Sequence, residues 1–296
     1  MQLVSLSILI PTYNDPCLAL VESLVGQATC INGLQWEIIV ADDGSTDESI
    51  VAANKPIDNL PHSTYIIRHK NSGRAAIRNF LAREAHGDYL LFIDADMTIV
   101  RDDYLQRYVD NLNDIVYGGY TVGNGPDDNL RYRYERASEP FHHVGNRNLK
   151  PYRDFHTSNF MIRRTLALAN PLDERFHHYG YEDVLYGKQF LMQAVPIRHI
   201  DNPTGFCTFE DNEAYVRKTE EGICTLYHFR RDLKGFSNIL TAVDRLHRLR
   251  LVPLVRLVLH ALSPALRRNL CSRRPSLTAF KLYKLGYYLD LEKNHQ

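Results

Sequence analysis

Asp94 and Asp96 close the run Asp88-Tyr89-Leu90-Leu91-Phe92-Ile93-Asp94-Ala95-Asp96-Met97, and their types and spacing carry the clearest chemistry in the chain. An apolar strand over 89–93 would deliver both carboxylates at its C-terminal end, and in a strand residues i and i+2 project to one side. Two hard oxygen ligands so placed suit one Mg2+ or Mn2+ whose other ligands are water and phosphate oxygens. The same residues also suit a solvated strand-to-loop turn, since Asp-x-Asp is a short pattern.

Four further groups stand where strands would end or helices begin. Pro11-Thr12-Tyr13-Asn14 follows a first apolar run, and Asp42-Asp43-Gly44-Ser45-Thr46-Asp47 follows a second. There Asp43 could accept from an N–H of a base, Ser45 or Thr46 could cap the next helix, and Asp47 favours its positive end. In Asn71 to Asn79, Arg74 and Arg78 share a helix face near its N-terminus, a setting that suits a pyrophosphate. Gly180-Tyr181-Glu182-Asp183 opens a later helix; its acids serve equally as a helix start. Taken singly, each group reads as readily as turn, cap or solvated surface. The first three, together with Asp94-Ala95-Asp96, fall at one edge of one sheet, where ligands of open α/β folds bind.

The elements that would position them follow from the apolar pattern. Runs at 6–10, 36–41, 65–68, 89–93 and 115–120 read as strands, and 17–28, 47–54, 74–85 and 102–112 carry helical periodicity. This alternation predicts an α/β fold, a mostly parallel sheet with helices on both faces. Residues 121–157 are polar, aromatic and poor in periodicity, with a basic stretch from Arg131 to Arg136 that would either bind an acceptor phosphate or form a solvated loop. A block at 159–168 and a helix to about residue 194 follow. The expected division is a catalytic unit over 1–235, with a nucleotide-binding half at 1–120 and an acceptor-binding half at 121–235, then a helical basic tail over 236–296.

The ordered set Ile10 to Asn14, Val40 to Asp47, Asn71 to Asn79, Gly87 to Asp96 and Tyr181-Glu182-Asp183 resembles the inverting family 2 glycosyltransferases with the GT-A fold. The resemblance runs from about residue 6 to 221. It implies a GT-A nucleotide-diphospho-sugar transferase fold, a nucleotide-sugar donor, usually a UDP-sugar, and Mn2+ or Mg2+. It also implies donor binding by Pro11, Thr12, Tyr13, Asp43, Arg74, Arg78, Asp94 and Ala95, with Tyr13 against the base and an arginine near the diphosphate. By the same resemblance Asp96 is the metal ligand and Asp183 the general base, and the acceptor is a glycan or lipid-linked precursor of polysaccharide biosynthesis. Many relatives carry a histidine after the turn that Asp201-Asn202-Pro203 occupies, but Thr204-Gly205-Phe206 stands there instead. That leaves a third protein ligand unassigned, with His199 and His228 as weaker substitutes.

Net charge is zero, from 35 basic and 35 acidic residues, but the balance is uneven along the chain. No acid occurs between Arg245 and Leu289, a stretch with ten Lys or Arg residues. Over 245–262 cations and leucines alternate with helical spacing, interrupted by Pro253. A basic amphipathic helix of this kind lies on an anionic membrane, where each cation contributes about 1 kcal/mol, or packs its apolar face on the body. The membrane surface is the expected partner, and nucleic acid is not, because no binding module accompanies the charge. Five scattered cysteines without Cys-x-x-Cys spacing, and no basic apolar leader over 1–4, suggest a cytoplasmic protein peripheral at the inner face of the cell membrane. A nucleotidyltransferase would need a Gly-rich basic loop after the first strand. A dinucleotide oxidoreductase would need Gly-x-Gly-x-x-Gly there, whereas the glycines at 118–125 lie too late. A catalytically silent scaffold would not need Asp94, Asp96 and Asp183.

Overall fold

The computed structural model describes residues 4–294. Residues 1–3, on which most of the leader reading falls, and 295–296 lie outside the described residues. The first half alternates β1 (Val4–Thr12), α1 (Leu18–Thr29), β2 (Leu34–Asp42), α2 (Glu48–Asn54), β3 (Ser63–Ile67), α3 (Arg74–Glu84) and β4 (Tyr89–Ile93). Alternate β1 residues enter opposite layers. Leu6, Ile8 and Ile10 pack with Val21 and Leu24 of α1, while Leu9 joins Ile77 and Leu81 of α3. Both faces are therefore covered, which is why these strands read as continuous apolar runs.

After β4 come β5 (Met97–Ile99), α4 (Tyr104–Val109), β6 (Ile115–Tyr117), β7 (Tyr120–Val122), α5 (Leu130–Ser138), α6 (Val144–Arg147) and β8 (Asn159–Arg163). Next are α7 (Arg164–Ala169), α8 (Glu182–Met192), β9 (Arg198–His199), β10 (Thr204–Phe206) and α9 (Asn212–His228). The main sheet has seven strands in the order β3-β2-β1-β4-β8-β6-β9, and a small sheet has the order β5-β10-β7. Only β8 runs against its neighbours in the main sheet, antiparallel to β4 and β6. The mostly parallel sheet expected from the alternation is present.

Two expectations need correction. The strand expected over 115–120 is two strands in two sheets, broken at Gly118-Gly119, where Gly119 has φ +87°. A Cβ on Gly118 would stand 2.4 Å from the Asn202 carbonyl oxygen, so the crossing between sheets needs glycine. The side chain of Asn159 locks this junction. Its oxygen accepts from the Tyr104 and Tyr108 hydroxyls, and its amide donates to the Gly119 and Asn202 carbonyls. Secondly, the aperiodic region after residue 121 contains α5, whose basic stretch is a helix and not a loop.

The chain ends in α10 (Asn238–Arg248), α11 (Val252–Leu270) and α12 (Leu277–Asn294). Phe280 and Tyr283 of α12 pack with Tyr215 and Val216 of α9, and Tyr288 and Leu289 pack with Ile223, Leu226, Phe176 and Leu185. One side of this helical segment is thus continuous with the body's core. None of the helices among the described residues is long and apolar enough to cross a membrane.

Candidate active site

Asp43, just beyond β2, organises the loop before α3. One of its oxygens accepts from the backbone N–H groups of Ser72 and Gly73 at 2.9 Å each, and the other from Arg68 at 2.8 Å and the Ser72 hydroxyl at 2.7 Å. A carboxylate has about four acceptor positions, so all are filled. The capping residue of α2 is Asp47, which accepts from Ser49 N–H, and not Ser45 or Thr46. Ser45 instead accepts from the backbone of Asn14, holding the first loop, with its neighbour Tyr13, beside the second.

Asp94 and Asp96 follow the end of the strand, as the sequence suggested, but in a turn and not in an extended continuation of it. β4 ends at Ile93, and the pair occupies a turn in which Met97 N–H returns to the Asp94 carbonyl. The turn sends the two carboxylates to different fates. Asp94 is clamped by the buried Arg78 and by Arg74 at 3.2 Å. Burial would raise its pKa, but Arg78 and then Arg74 outweigh that and hold it below the ordinary value. The Asp96 carboxylate has no hydrogen bond or ion pair among the described residues. Burial, and then the charge of Asp94, push it up to about 6.

Across the cleft, α8 starts from two consecutive residues with positive φ, Gly180 at 97° and Tyr181 at 70°. For a bulky aromatic this conformation is strained, and such strain gathers at functional sites. It brings Glu182 and Asp183 into the cleft. Buried Glu182 accepts from Arg74 Nε at 2.5 Å, so Arg74 ties α8 to the Asp94 turn. Asp183 accepts from its neighbour Val184 N–H at 2.8 Å and lies 2.8 Å from His156 Nδ1. Burial opposes the charge of both partners. The hydrogen bond and attraction between them win, holding Asp183 low and His156 high.

Two cavities of about 380 Å³ each meet at Arg74, Asp94, Asp96, Tyr179 and Lys218. One reaches Pro11, Thr12, Tyr13, Asp43, Arg78 and Ala95. The other holds Asp183, His156, Glu135, Tyr120 and Tyr181. The donor-binding, metal and base candidates implied by the resemblance therefore line one or other of two joined spaces, with Asp96 at the junction. His156 and Lys218 line these spaces too but were not singled out from the sequence, and Arg131, read there only as part of a basic stretch, joins them. Arg131 pairs with Glu210 and lies over the Phe206 ring at 4.2 Å, while the Lys218 amine sits 4.7 Å from the centre of the Tyr179 ring.

Among the described residues no group of three or more His, Cys, Asp or Glu side chains is arranged to hold a metal ion. His199 is buried against Arg147 and the Pro151 carbonyl, and His228 lies at the end of α9 against Phe229. Neither lines the cavities. One unpaired carboxylate nevertheless fits a Mg2+-like ion, which typically takes one or two protein carboxylates and completes its shell with substrate phosphates and water.

The model of glycosyl transferase family 2 matches residues 7–168, more than half of the chain. The chain belongs to that family. An uncharacterized glycosyltransferase of Haemophilus influenzae is 37% identical over 99 residues, 33% of this chain and 38% of the relative. The chain thus spans well under two thirds of that curated relative. Two solved structures are similar over nearly all of this chain. S. aureus TarS 1–349 with UDP-GlcNAc has a TM-score of 0.53 at 17% identity, covering 98% of this chain and 91% of that one. The mannosyltransferase PcManGT of Pyrobaculum calidifontis, in complex with GDP-Man and Mn2+, has a TM-score of 0.57 at 17% identity, covering 98% and 86%. At such identities the likeness establishes the fold, which is GT-A.

Proposed function

We propose that this family 2 glycosyltransferase is inverting and moves a sugar from a UDP-sugar to a hydroxyl of a glycan or lipid-linked acceptor at the inner face of the cell membrane. The observation that carries the reading is the unpaired Asp96 carboxylate at the junction of two cavities, one reaching Asp43 and Tyr13 and the other Asp183. In this reading residues 1–120 hold the donor and 121–235 the acceptor. The bound donors of the two structural neighbours support a nucleoside diphosphate sugar.

Tyr13, 42% exposed at the cavity rim, stacks on the base. Asp43 takes a base N–H when the Ser72 hydroxyl turns away. The diphosphate lies along Arg74 and the N-terminus of α3, whose N–H groups and positive end favour an anion. Asp94, fixed by Arg74 and Arg78, is an acceptor for sugar or ribose hydroxyls. Asp96 would hold Mn2+ or Mg2+, which when bound supplies Lewis-acid neutralisation of charge on the leaving diphosphate.

Inversion needs the acceptor hydroxyl on the face opposite the leaving group, with a base beside it. Asp183 fills that place on the far side of the junction and takes the hydroxyl proton as the glycosidic bond forms. Held below the ordinary carboxyl range by His156, it is ionised at neutral pH. Tyr120, Tyr134 and Tyr181 give that cavity aromatic walls, which suit the apolar faces of a sugar ring. The test is a panel of nucleotide-sugars with Mn2+ or EDTA, read by donor hydrolysis and thermal shift. A UDP-sugar at 100 times its dissociation constant stabilises by about 2.7 kcal/mol. No metal-dependent response to any donor would refute the reading.

A further inference from the structure

Helix α11 has two faces with different fates. Inward, Leu259 and Leu270 are buried, and Val252 and Val255 pack with Leu240, Val243, Tyr288 and Leu289. The fit to α12 is tight, for a Cβ on Gly286 would stand 2.9 Å from Leu259 Cβ. Outward, Leu254 is 59% exposed, Leu257 64%, Val258 47% and Leu262 45%. Ala261 and Ala265 are exposed with them. Counted from Leu254 these residues fall at i, i+3, i+4, i+7, i+8 and i+11, a single stripe about 16 Å long. Leu249 and Leu251, 65% and 40% exposed, extend it at the N-terminal end.

The cations of this region divide in the same way. Those turned inward are neutralised, Arg256 by Asp290 at 3.4 Å and Arg267 by Glu220 at 3.5 Å. His260 shares Asp290 with Arg256, and His247 occupies Glu292, the other acid of α12. Arg245, Arg248 and Arg250 before the stripe, and Arg268, Arg273 and Arg274 beyond it, are exposed and pair with no carboxylate among the described residues. An apolar stripe with unpaired guanidinium groups at both ends matches one kind of surface in particular.

We propose that the outer face of α11 docks on an anionic lipid bilayer, with Leu254, Leu257, Val258 and Leu262 at the acyl boundary and the six arginines among the headgroups. A second copy of the chain is a poorer occupant. Pairing two such stripes, parallel or antiparallel, sets cations against cations at both ends. The inference deepens the membrane part of the proposed function, and it stands apart from the sugar chemistry.

The experiment is flotation of the full chain with vesicles of phosphatidylcholine alone or with phosphatidylglycerol, at low and high salt. Wild type floats with the anionic vesicles, and less at high salt because the arginine contribution is screened. L254S/L257S/V258S/L262S weakens anionic-vesicle binding by at least about tenfold. R245Q/R248Q/R250Q weakens it by a smaller factor and reduces its salt dependence. All seven side chains replaced are on the surface, so both variants keep the wild-type Tm; were the leucine variant to melt early, the arginine variant carries the test alone. Equal binding of wild type to neutral and anionic vesicles, none to either, or full binding by the stable variants overturns the proposal. So does a wild-type dimer in light scattering that L254S/L257S/V258S/L262S converts to monomer, which would mean a second copy covers the face. UDP affinity is measured in parallel: its absence from wild type would sink the catalytic reading and leave this one standing.

Discussion

Asp96→Asn separates what this carboxylate does for the fold from what it does for the reaction. A carboxyl that titrates at about 6 instead of 3.8 is destabilising when ionised in the folded chain. At 1.36 kcal/mol per pH unit the cost reaches about 3 kcal/mol above pH 6 as a ceiling, because the group keeps some contact with solvent. The sign runs one way. The folded state binds the proton more tightly than the unfolded state, so this burden is present above pH 6, shrinks as pH falls through 6, and is gone below about 4.

The amide keeps the shape and removes the charge. Asp96→Asn should therefore raise the melting temperature of the ligand-free protein at pH 7.5 by several degrees, taking roughly 2–4 °C per kcal/mol for a chain of this order of size. At pH 4.5 the gap should have shrunk to about a third of that, on the order of 1 kcal/mol. With UDP and Mn2+ the order reverses, since only wild type gains the metal-dependent part of the shift. The assay is a set of melts across pH 4.5–8, with and without UDP, Mn2+ and EDTA. A variant less stable than wild type at every pH would refute the reasoning, because Asp96 would then have a stabilising partner in the fold. An undiminished Mn2+-dependent shift in the variant would remove Asp96 from the metal.

Asp183→Asn should leave UDP binding nearly intact and cut transfer by about 10²-fold or more, with Glu182→Gln hurting less; equal turnover in wild type and Asp183→Asn would show that the acid only starts α8. Thermal melts of His156→Ala should expose the pairing with Asp183. The raised pKa of His156 gives stability that is full below about 6.5 and is lost as pH rises through its folded value. Wild type should thus lose more stability than His156→Ala between pH 7 and 9, and parallel curves would mean His156 is neutral throughout. Arg78→Met should destabilise by about 3–5 kcal/mol in urea unfolding, because it strips the buried partner from Asp94 and leaves that charge to Arg74 alone; a loss under 1 kcal/mol would mean Asp94 relaxes toward solvent.

Much of the donor side was legible because its signals are local. The run Tyr89 to Ile93 reads as a strand covered on both faces, and the acids after it must then stand at the sheet edge. The resemblance added roles to positions that periodicity had already placed together. What could not be read is what lies far apart in sequence. His156 sits in an aperiodic loop, 27 residues from the carboxylate it meets, and Arg74 meets Glu182 across 108. No propensity or period reports such a pairing. The split of β6 from β7 was hidden for another reason. Gly118-Gly119 reads equally as part of a strand or its end, and only the approach of Asn202 decides. The C-terminal helices hid a division of labour, since an amphipathic pattern shows that leucines share a line without showing which of them a neighbour covers.

The pairing of Arg74 with Glu182 also bears on how the two cavities act as one site. A guanidinium has five N–H donors in a fixed fork, and here they are shared between Asp94 at the turn after β4 and Glu182 at the start of α8. In the proposed reaction an incoming diphosphate would draw on the same group, which is partly exposed toward the junction. It can add to these bonds only in directions the two carboxylates leave open. Donor placement is thereby referred to α8, the helix that also carries Asp183. The strained turn at Gly180-Tyr181 fixes that helix start, so the proposed base and leaving group would be positioned from opposite ends of one Arg74–Glu182 link. On that proposal the alignment inversion requires would be a property of the folded cleft before substrate arrives, and the conformational cost of Tyr181 the price of holding it.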